Sequence, residues 1–427
     1  MGKMKLFETE SRKGKAHPIT LEEVGEAYRK VHSNGGSAGV DNQTVEEFES
    51  DKVGLLYKLW NRMSSGSYFP KMVLGKEIPK LTGGTRLLGI PTVTDRIAQQ
   101  VVLNAMQPKM EEKFYADSYG YRPGRGAHDA LRKCMSRCRE YNWIIDIDIK
   151  GFFDDINHYH MMKILQIYFK ERWIQMYVLR WLKSPMQMPD GSVKKRWKGT
   201  PQGGVISPLL ANMFLHVVFD WWIEELVCKK QGVDCKWERY ADDIVVHCRS
   251  KQEARSILRQ LKIRMKRYAL ELHPEKTKIV YCKSTGSRAK YDTVQFTFLG
   301  YEFSPARAKC KDGRTRTIFR AKISRPAIKY INQTFMRMKI HRQTSKTLVD
   351  LAIGLRSQLR GWIRYYSLFN SWALRDVFEV LNKRLVRWYT NKYKLYRRRT
   401  WRARQQLRQV ARDYPTLFVH WEYGYTP

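Results

Sequence analysis

The chain has 427 residues, 43% of them hydrophobic, which is enough for two or three cores at ordinary domain sizes. Lys and Arg total 79 against 41 Asp and Glu, giving a formal net charge of +38. A surface so basic repels itself unless a polyanion neutralises it, so nucleic acid is the expected partner. No apolar run reaches the ~18 residues of a membrane span. The start, Met1-Gly2-Lys3-Met4-Lys5-Leu6, lacks a signal-peptide apolar region and the Ser or Thr of a myristoylation site, so a cytoplasmic location and no membrane partner are expected. The cysteines number seven and form no C-x-x-C pair, a pattern of reduced structural thiols rather than of a disulfide framework or zinc site.

In chain order, the first 60 residues read as helical, and Ile19-Thr20-Leu21-Glu22-Glu23 has the spacing of a capped helix start. Asn34 to Gly39 makes a loop. Lys76 to Lys80 and Thr85 to Pro91 flank Gly83-Gly84 as the strands of a hairpin do. A helix over about residues 94–106 follows. From Trp143 to about Tyr301 strands and helices are mixed, and from Ser304 onward the pattern reads as helical and basic, which places a domain boundary there.

Two acidic patterns stand out in this basic chain. Trp143-Ile144-Ile145-Asp146-Ile147-Asp148-Ile149 alternates with period two, so Asp146 and Asp148 share one face of a strand. Tyr240-Ala241-Asp242-Asp243 sits between apolar stretches around Trp237 and Ile244 to Val246, as a tight acidic turn between two strands would. A solvated hairpin turn would account for the second pattern alone. Carboxylates on two otherwise apolar strands are costly unless a cation pairs with them, which favours a metal site. Hard oxygen ligands suit Mg²⁺, and two such ions can serve in-line nucleotidyl transfer. Downstream, residues 305–349 hold 13 Lys and Arg with one acidic residue, Asp312. Residues 381–410 hold 11 with none, interleaved with Trp388, Tyr389, Tyr393, Tyr396 and Trp401. That mixture fits phosphate contact plus stacking on unpaired bases, while each aromatic taken singly fits a helical core equally well.

Seven motifs in order carry a resemblance. They are Gly39-Val40-Asp41; Ile78-Pro79-Lys80 through Arg86 to Pro91; Ser118-Tyr119-Gly120-Tyr121-Arg122-Pro123-Gly124-Arg125; Asp148 to Asp154; Gly199-Thr200-Pro201-Gln202-Gly203-Gly204 through Ser207 to Leu210; Tyr240 to Asp243; and Phe298-Leu299-Gly300-Tyr301. Together they resemble the reverse transcriptases encoded by bacterial group II introns, the intron-encoded maturases, over nearly the whole chain. Gly361-Trp362-Ile363-Arg364-Tyr365-Tyr366 resembles the thumb signature of the same family.

The resemblance implies an α+β right-hand polymerase, with fingers and palm of antiparallel sheet plus helices and a helical basic thumb. It implies an N-terminal extension and start of the fingers over 1–60, fingers over 61–142, palm over 143–303 and thumb or maturase domain over 304–380. Residues 381–427 would be the end of the thumb or a short DNA-binding segment. Asp148, Asp242 and Asp243 match the catalytic carboxylates, with the Ile149 carbonyl as a further metal ligand. Asp146 and Asp154 match no catalytic position. Lys80 and Arg86 match residues that hold the incoming triphosphate, Phe153 the steric gate against a 2′-hydroxyl, Gln202 a nucleotide or template contact, and Lys276 the lysine near the leaving pyrophosphate. Arg122, Arg125, Gly300, Arg397, Arg398 and Arg399 fall to nucleic-acid binding. Implied partners are group II intron RNA, an RNA template with DNA primer, target DNA and dNTPs, with two Mg²⁺ ions as cofactor, in a bacterial cytoplasm and at the nucleoid when acting on DNA. Many family members end in a nuclease module; the chain stops at Pro427 without one, so the form lacking an endonuclease is expected. A domesticated relative in a defence or CRISPR-associated system is the alternative.

Overall fold

The computed structural model describes residues 16–79, 84–282, 290–309, 313 and 315–427. Lys80, expected at the triphosphate, lies outside the described residues. The chain divides into two compact units, one of residues 1–130 and 147–278, the other of 131–146 and 279–427. Among the described residues no helix is long and apolar enough to cross a membrane.

In the first unit, Thr20 caps the helix Leu21–Asn34: its hydroxyl accepts from the Glu23 amide while the Glu23 carboxylate accepts from the Thr20 amide. This helix packs along Val93–Glu111, which starts at the Thr92 cap and runs past the expected end near 106. The hairpin forms as the sequence predicts: Val73–Pro79 pairs antiparallel with Thr85–Ile90, with Ile78 opposite Arg86. The short strand Met186–Gln187 extends this sheet in parallel on the other side of Val73–Pro79. A second hairpin pairs Cys235–Tyr240 with Asp243–Cys248, Tyr240 opposite Asp243, so the turn contains only Ala241 and Asp242. Ala241 takes a left-handed φ of 57°, which a turn this tight demands at its first central position.

In the second unit, the expectation of helix from Ser304 onward fails. Tyr301–Lys309 and Thr315–Ile323 form a long antiparallel hairpin, and Phe296–Phe298 adds a third strand. The alternation in Thr315–Ile323 buries Phe319, Ala321 and Ile323 while Arg320 and Lys322 face solvent, a period-two signal that the high Lys and Arg content disguises. Helices begin only at Arg325–Arg337 and continue with Leu348–Tyr366, Arg375–Lys392 and Thr400–Asp413. They enclose one core that includes Phe335, Leu359, Phe378, Leu385, Trp388, Leu407 and Trp421. Trp388 and Tyr389 therefore belong to packing, whereas Trp401 is 71% exposed. The described cysteines are free thiols; five are buried and Cys228 is half-buried.

Candidate active site

The Asp-Asp turn is held from below by a fully buried arginine. Arg239 donates to both oxygens of Asp220, from Nε at 2.7 Å and from Nη2 at 2.6 Å. It also reaches Asn212 Oδ1 at 2.8 Å, Ser118 Oγ at 2.8 Å and the carbonyl of Ala241, inside the turn, at 3.1 Å. Asn212 and Asp220 lie eight residues apart on one helical run, where an unbroken α-helix would leave their side chains about 80° out of line. From His216 to Asp220 the run widens to a π-helix, and the wider turn removes most of that offset. Both polar groups can then meet one guanidinium. The loop from Ser118 is fastened to the same strand: the Tyr119 amide donates to the Arg239 carbonyl at 2.8 Å, and the Asn212 amide donates to the Gly120 carbonyl at 2.7 Å. A Cβ on Gly120 would lie 2.4 Å from the Ala241 nitrogen, so only glycine permits this approach to the turn.

Asp148 joins the turn from another part of the chain. Its carbonyl accepts from the His273 amide at 2.8 Å and the Lys150 amide donates to the Glu271 carbonyl at 2.9 Å, which makes Ile149 and Leu272 an antiparallel bridge. In such a bridge the two central residues direct their own amides and carbonyls outward, so the Ile149 carbonyl points away from Leu272. Lys276 Nζ stands 3.3 Å from Asp148 Oδ2. The Asp148 charge acts on both carboxyl groups of the turn. Removal from water raises the Asp242 carboxyl, and the Asp148 charge adds to the rise. Crowding by the surrounding protein and repulsion from Asp242 and Asp148 push Asp243 up to about 7, with Lys276 opposing.

A carboxyl whose pKa is higher in the folded protein than in the unfolded chain favours folding while it is protonated. This contribution is present below its ordinary 3.8 and lost as pH rises to about 7. Without divalent metal the melting temperature should therefore fall between about pH 4 and about pH 7, modestly, because the Asp243 side chain still meets solvent. Millimolar Mg²⁺ should flatten the slope, and apparent metal affinity should rise with pH over the same range because the ion displaces the proton. Thermal melts with and without metal check this; a slope indifferent to metal would place the titrating group elsewhere.

The other site residues of this unit distribute as follows. Gln202 Nε2 lies 3.5 Å from Asp154 Oδ2, and its carbonyl accepts from the Gly89 amide at 2.8 Å, which ties the Gln202 loop to the hairpin that carries exposed Arg86. Phe153 is half-buried and its carbonyl accepts from the Thr200 amide at 2.8 Å. Its neighbour Phe152 is 2% exposed and packs against Phe214. Phe152→Ala should accordingly cost about 3–5 kcal/mol, read from denaturant unfolding, as for other aromatics truncated in a core. Arg122, expected at a nucleic-acid surface, is instead buried: it donates to Glu111 at 2.9 Å and to the carbonyls of Tyr115 and Ser118 at 2.7 Å each. Arg125 donates to the Ala116 carbonyl at 2.6 Å. Both hold the loop in shape. Sequence reasoning missed Arg239, Asp220 and Asn212. The signal was present, since Arg239 shares the inward face of its strand with Cys235 and Trp237.

In the second unit, Leu299 and Gly300 form the two-residue turn between Phe298 and Tyr301, with φ of 48° and 76°. A Cβ on Gly300 would lie 3.1 Å from the Tyr366 hydroxyl, and Tyr365 Oη donates to the Leu299 carbonyl at 2.8 Å. The Gly361 to Tyr366 motif thus clamps this turn. Arg397, Arg398 and Arg399 are exposed in the link between the short helix Lys394–Tyr396 and the helix Thr400–Asp413.

An α+β fold with two carboxylates at a hairpin turn, a third brought to them from another part of the chain and an arginine-bearing hairpin in the same unit is of the polymerase class. The chain belongs to the family described as reverse transcriptase (RNA-dependent DNA polymerase), whose model matches residues 78–303, slightly more than half of its length. Residues 328–407 match the group II intron maturase-specific domain. The chain is 33% identical over 193 residues to the group II intron-encoded protein LtrA of Lactococcus lactis subsp. cremoris, covering 44% of this chain and 32% of that protein. It is 32% identical over 221 residues to protein YkfC of Escherichia coli strain K12, covering 50% of this chain and 58% of that one. A mitochondrial nuclear intron maturase 1 of Arabidopsis thaliana is 31% identical over 106 residues, 25% of this chain and 14% of that protein. In each case the match spans less than two thirds of the relative's length. The maturase-specific domain and these relatives do not favour the defence-system alternative.

Proposed function

We propose that the protein is an RNA-dependent DNA polymerase that extends a DNA primer on an RNA template with dNTPs. In this reading it also binds group II intron RNA as a splicing maturase and supports insertion of the intron into target DNA. The observation that carries the reading is the convergence of Asp148 on Asp242 and Asp243, whose carboxyl groups its charge helps to raise, inside the segment that matches the reverse transcriptase family. Three carboxylates met by the single ammonium of Lys276 keep a net negative charge that fits a divalent cation, and we assign two Mg²⁺ ions to these residues and the Ile149 carbonyl. Bound there, the ions would supply Lewis-acid activation of the primer 3′-hydroxyl and charge stabilisation of the leaving pyrophosphate.

The remaining roles belong to the chain itself. Arg86, with Lys80, holds the triphosphate by charge-assisted hydrogen bonds, and Lys276 meets the pyrophosphate end. Gln202 orients the nucleotide, and Phe153 excludes a 2′-hydroxyl. The Gly300 turn approaches the nucleic-acid backbone, and Arg397 to Arg399 contact phosphate. Residues 61–142 and 143–303 serve as fingers and palm, 304–380 as thumb, and 381–427 as its end or a DNA-binding segment.

Extension of a labelled primer on an RNA template tests the reading: cDNA should form with Mg²⁺ and dNTPs and stop on chelation. Binding should weaken by about 10³ to 10⁵ between 50 and 200 mM salt if 6 to 10 phosphates are neutralised. A wild-type protein that binds primed template but never extends it would sink the polymerase. Equal affinity for intron RNA and unrelated structured RNA would sink the maturase.

A further inference from the structure

The loop Ser118 to Arg122 is fastened on both sides of one residue that is not used in its construction. Before that residue, Gly120 is pinned by Asn212 and pressed on the Ala241 turn; after it, Arg122 is buried on three partners. Between them, Tyr121 has a φ of 57° and is 54% exposed. A tyrosine in the left-handed region is strained where glycine would be relaxed, and strain kept by a rigid surround points to a use for the side chain. The ring meets Phe153 edge to face, with centroids 6.5 Å apart and planes at 87°. Phe153 also meets Phe152, with centroids 5.5 Å apart, so two aromatic neighbours limit its rotation. Partial burial and the Asp242 charge raise the Tyr121 phenol, with Arg86 opposing, which locates it within reach of the carboxylates and the arginine hairpin.

We propose that Tyr121 is a positioning residue that fixes the Phe153 ring and so sets the discrimination between deoxyribose and ribose in the incoming nucleotide. The inference rests on the polymerase reading and on the assignment of Phe153 as the sugar gate. An aromatic edge on an aromatic face is a directional contact, and losing it frees Phe153 to turn away from the sugar. The fixed backbone of the loop keeps the Tyr121 ring in place as nucleotides enter and leave.

The test compares kcat/KM for dNTP and rNTP in primer extension by the wild type and by Tyr121→Phe, Tyr121→Gly, Phe153→Ala and the double variant Tyr121→Gly/Phe153→Ala. Tyr121→Phe keeps the ring and should keep the wild-type ratio. Tyr121→Gly relieves the left-handed strain, so it should remain folded, with a melting temperature near the wild type. It should lose about tenfold in sugar discrimination, the scale of one lost packing contact in a specificity pocket. Phe153→Ala should relax discrimination further, and the double variant should be no worse than Phe153→Ala, because the two residues act as one unit. A wild-type ratio in Tyr121→Gly alongside a relaxed Phe153→Ala would overturn the inference and leave the polymerase reading intact. Additive losses in the double variant, or a relaxed ratio in Tyr121→Phe, would overturn the positioning role. No extension by the wild type would instead overturn the reading beneath it.

Discussion

Replacing Asp242 and Asp243 together by Asn is expected to abolish DNA synthesis while leaving RNA affinity essentially unchanged. Asparagine has nearly the same shape as aspartate but is neutral, so it binds a divalent cation far more weakly and no longer offsets its charge. A loss of at least about a thousandfold in kcat is expected, equivalent to about 4 kcal/mol of transition-state stabilisation. Binding behaves differently because it draws on the net charge of +38 and on exposed groups such as Arg397 to Arg399. Removing two negative charges cannot weaken the attraction of a basic protein for phosphate. Folding should not suffer either, because both carboxyl groups are held above their ordinary range and two neutral amides relieve that repulsion. Primer extension, an RNA titration and a splicing assay with cognate intron RNA, all on one folded preparation, check the separation. Loss of RNA binding together with synthesis would mean that the turn serves the fold rather than the chemistry.

Much of this site was legible because its elements are local. The hairpin from Val73 to Ile90 follows from alternation around a glycine-rich turn, and Thr20 with Glu23 marks a helix start by spacing alone. The acidic turn follows from two apolar strands flanking Ala241 and Asp242. What escaped depends on contacts between distant parts of the chain or on composition that misleads. The Tyr301–Ile323 hairpin reads as helix because arginine and lysine are good helix formers, and strand pairing decides against that propensity. Arg122 reads as a phosphate ligand in a chain rich in such residues, yet its partners are Glu111 and two backbone carbonyls. Trp388 and Tyr389 read equally as stacking platforms or as core, and only the packing of four helices shows that they are core. The Asn212 to Asp220 alignment needs a π-helical turn, for which the sequence offers no marker.

Arg239→Met should be among the most damaging single substitutions for stability in the first unit. The guanidinium and the Asp220 carboxylate are both fully buried, and their two short hydrogen bonds compensate the loss of water around each charge. Removing the arginine strands Asp220 and also takes a partner from Asn212 and Ser118. Breaking a buried pair from one side costs about 3–5 kcal/mol, a large part of an ordinary domain's stability, and should appear as a lower denaturation midpoint. Pairing the change with Asp220→Leu removes the stranded charge, and replacement of both partners by apolar side chains is often neutral or stabilising. The double variant should therefore recover most of the midpoint. Activity should not recover with it, because the donor to the Ala241 carbonyl is still missing and the turn bearing Asp242 loses its support. The expected signature is a refolded protein with unchanged affinity for primed template, a lower kcat and a higher Mg²⁺ concentration at half-maximal rate. Full recovery of kcat in the double variant would show that Arg239 only balances a buried charge and that the turn keeps its geometry without it.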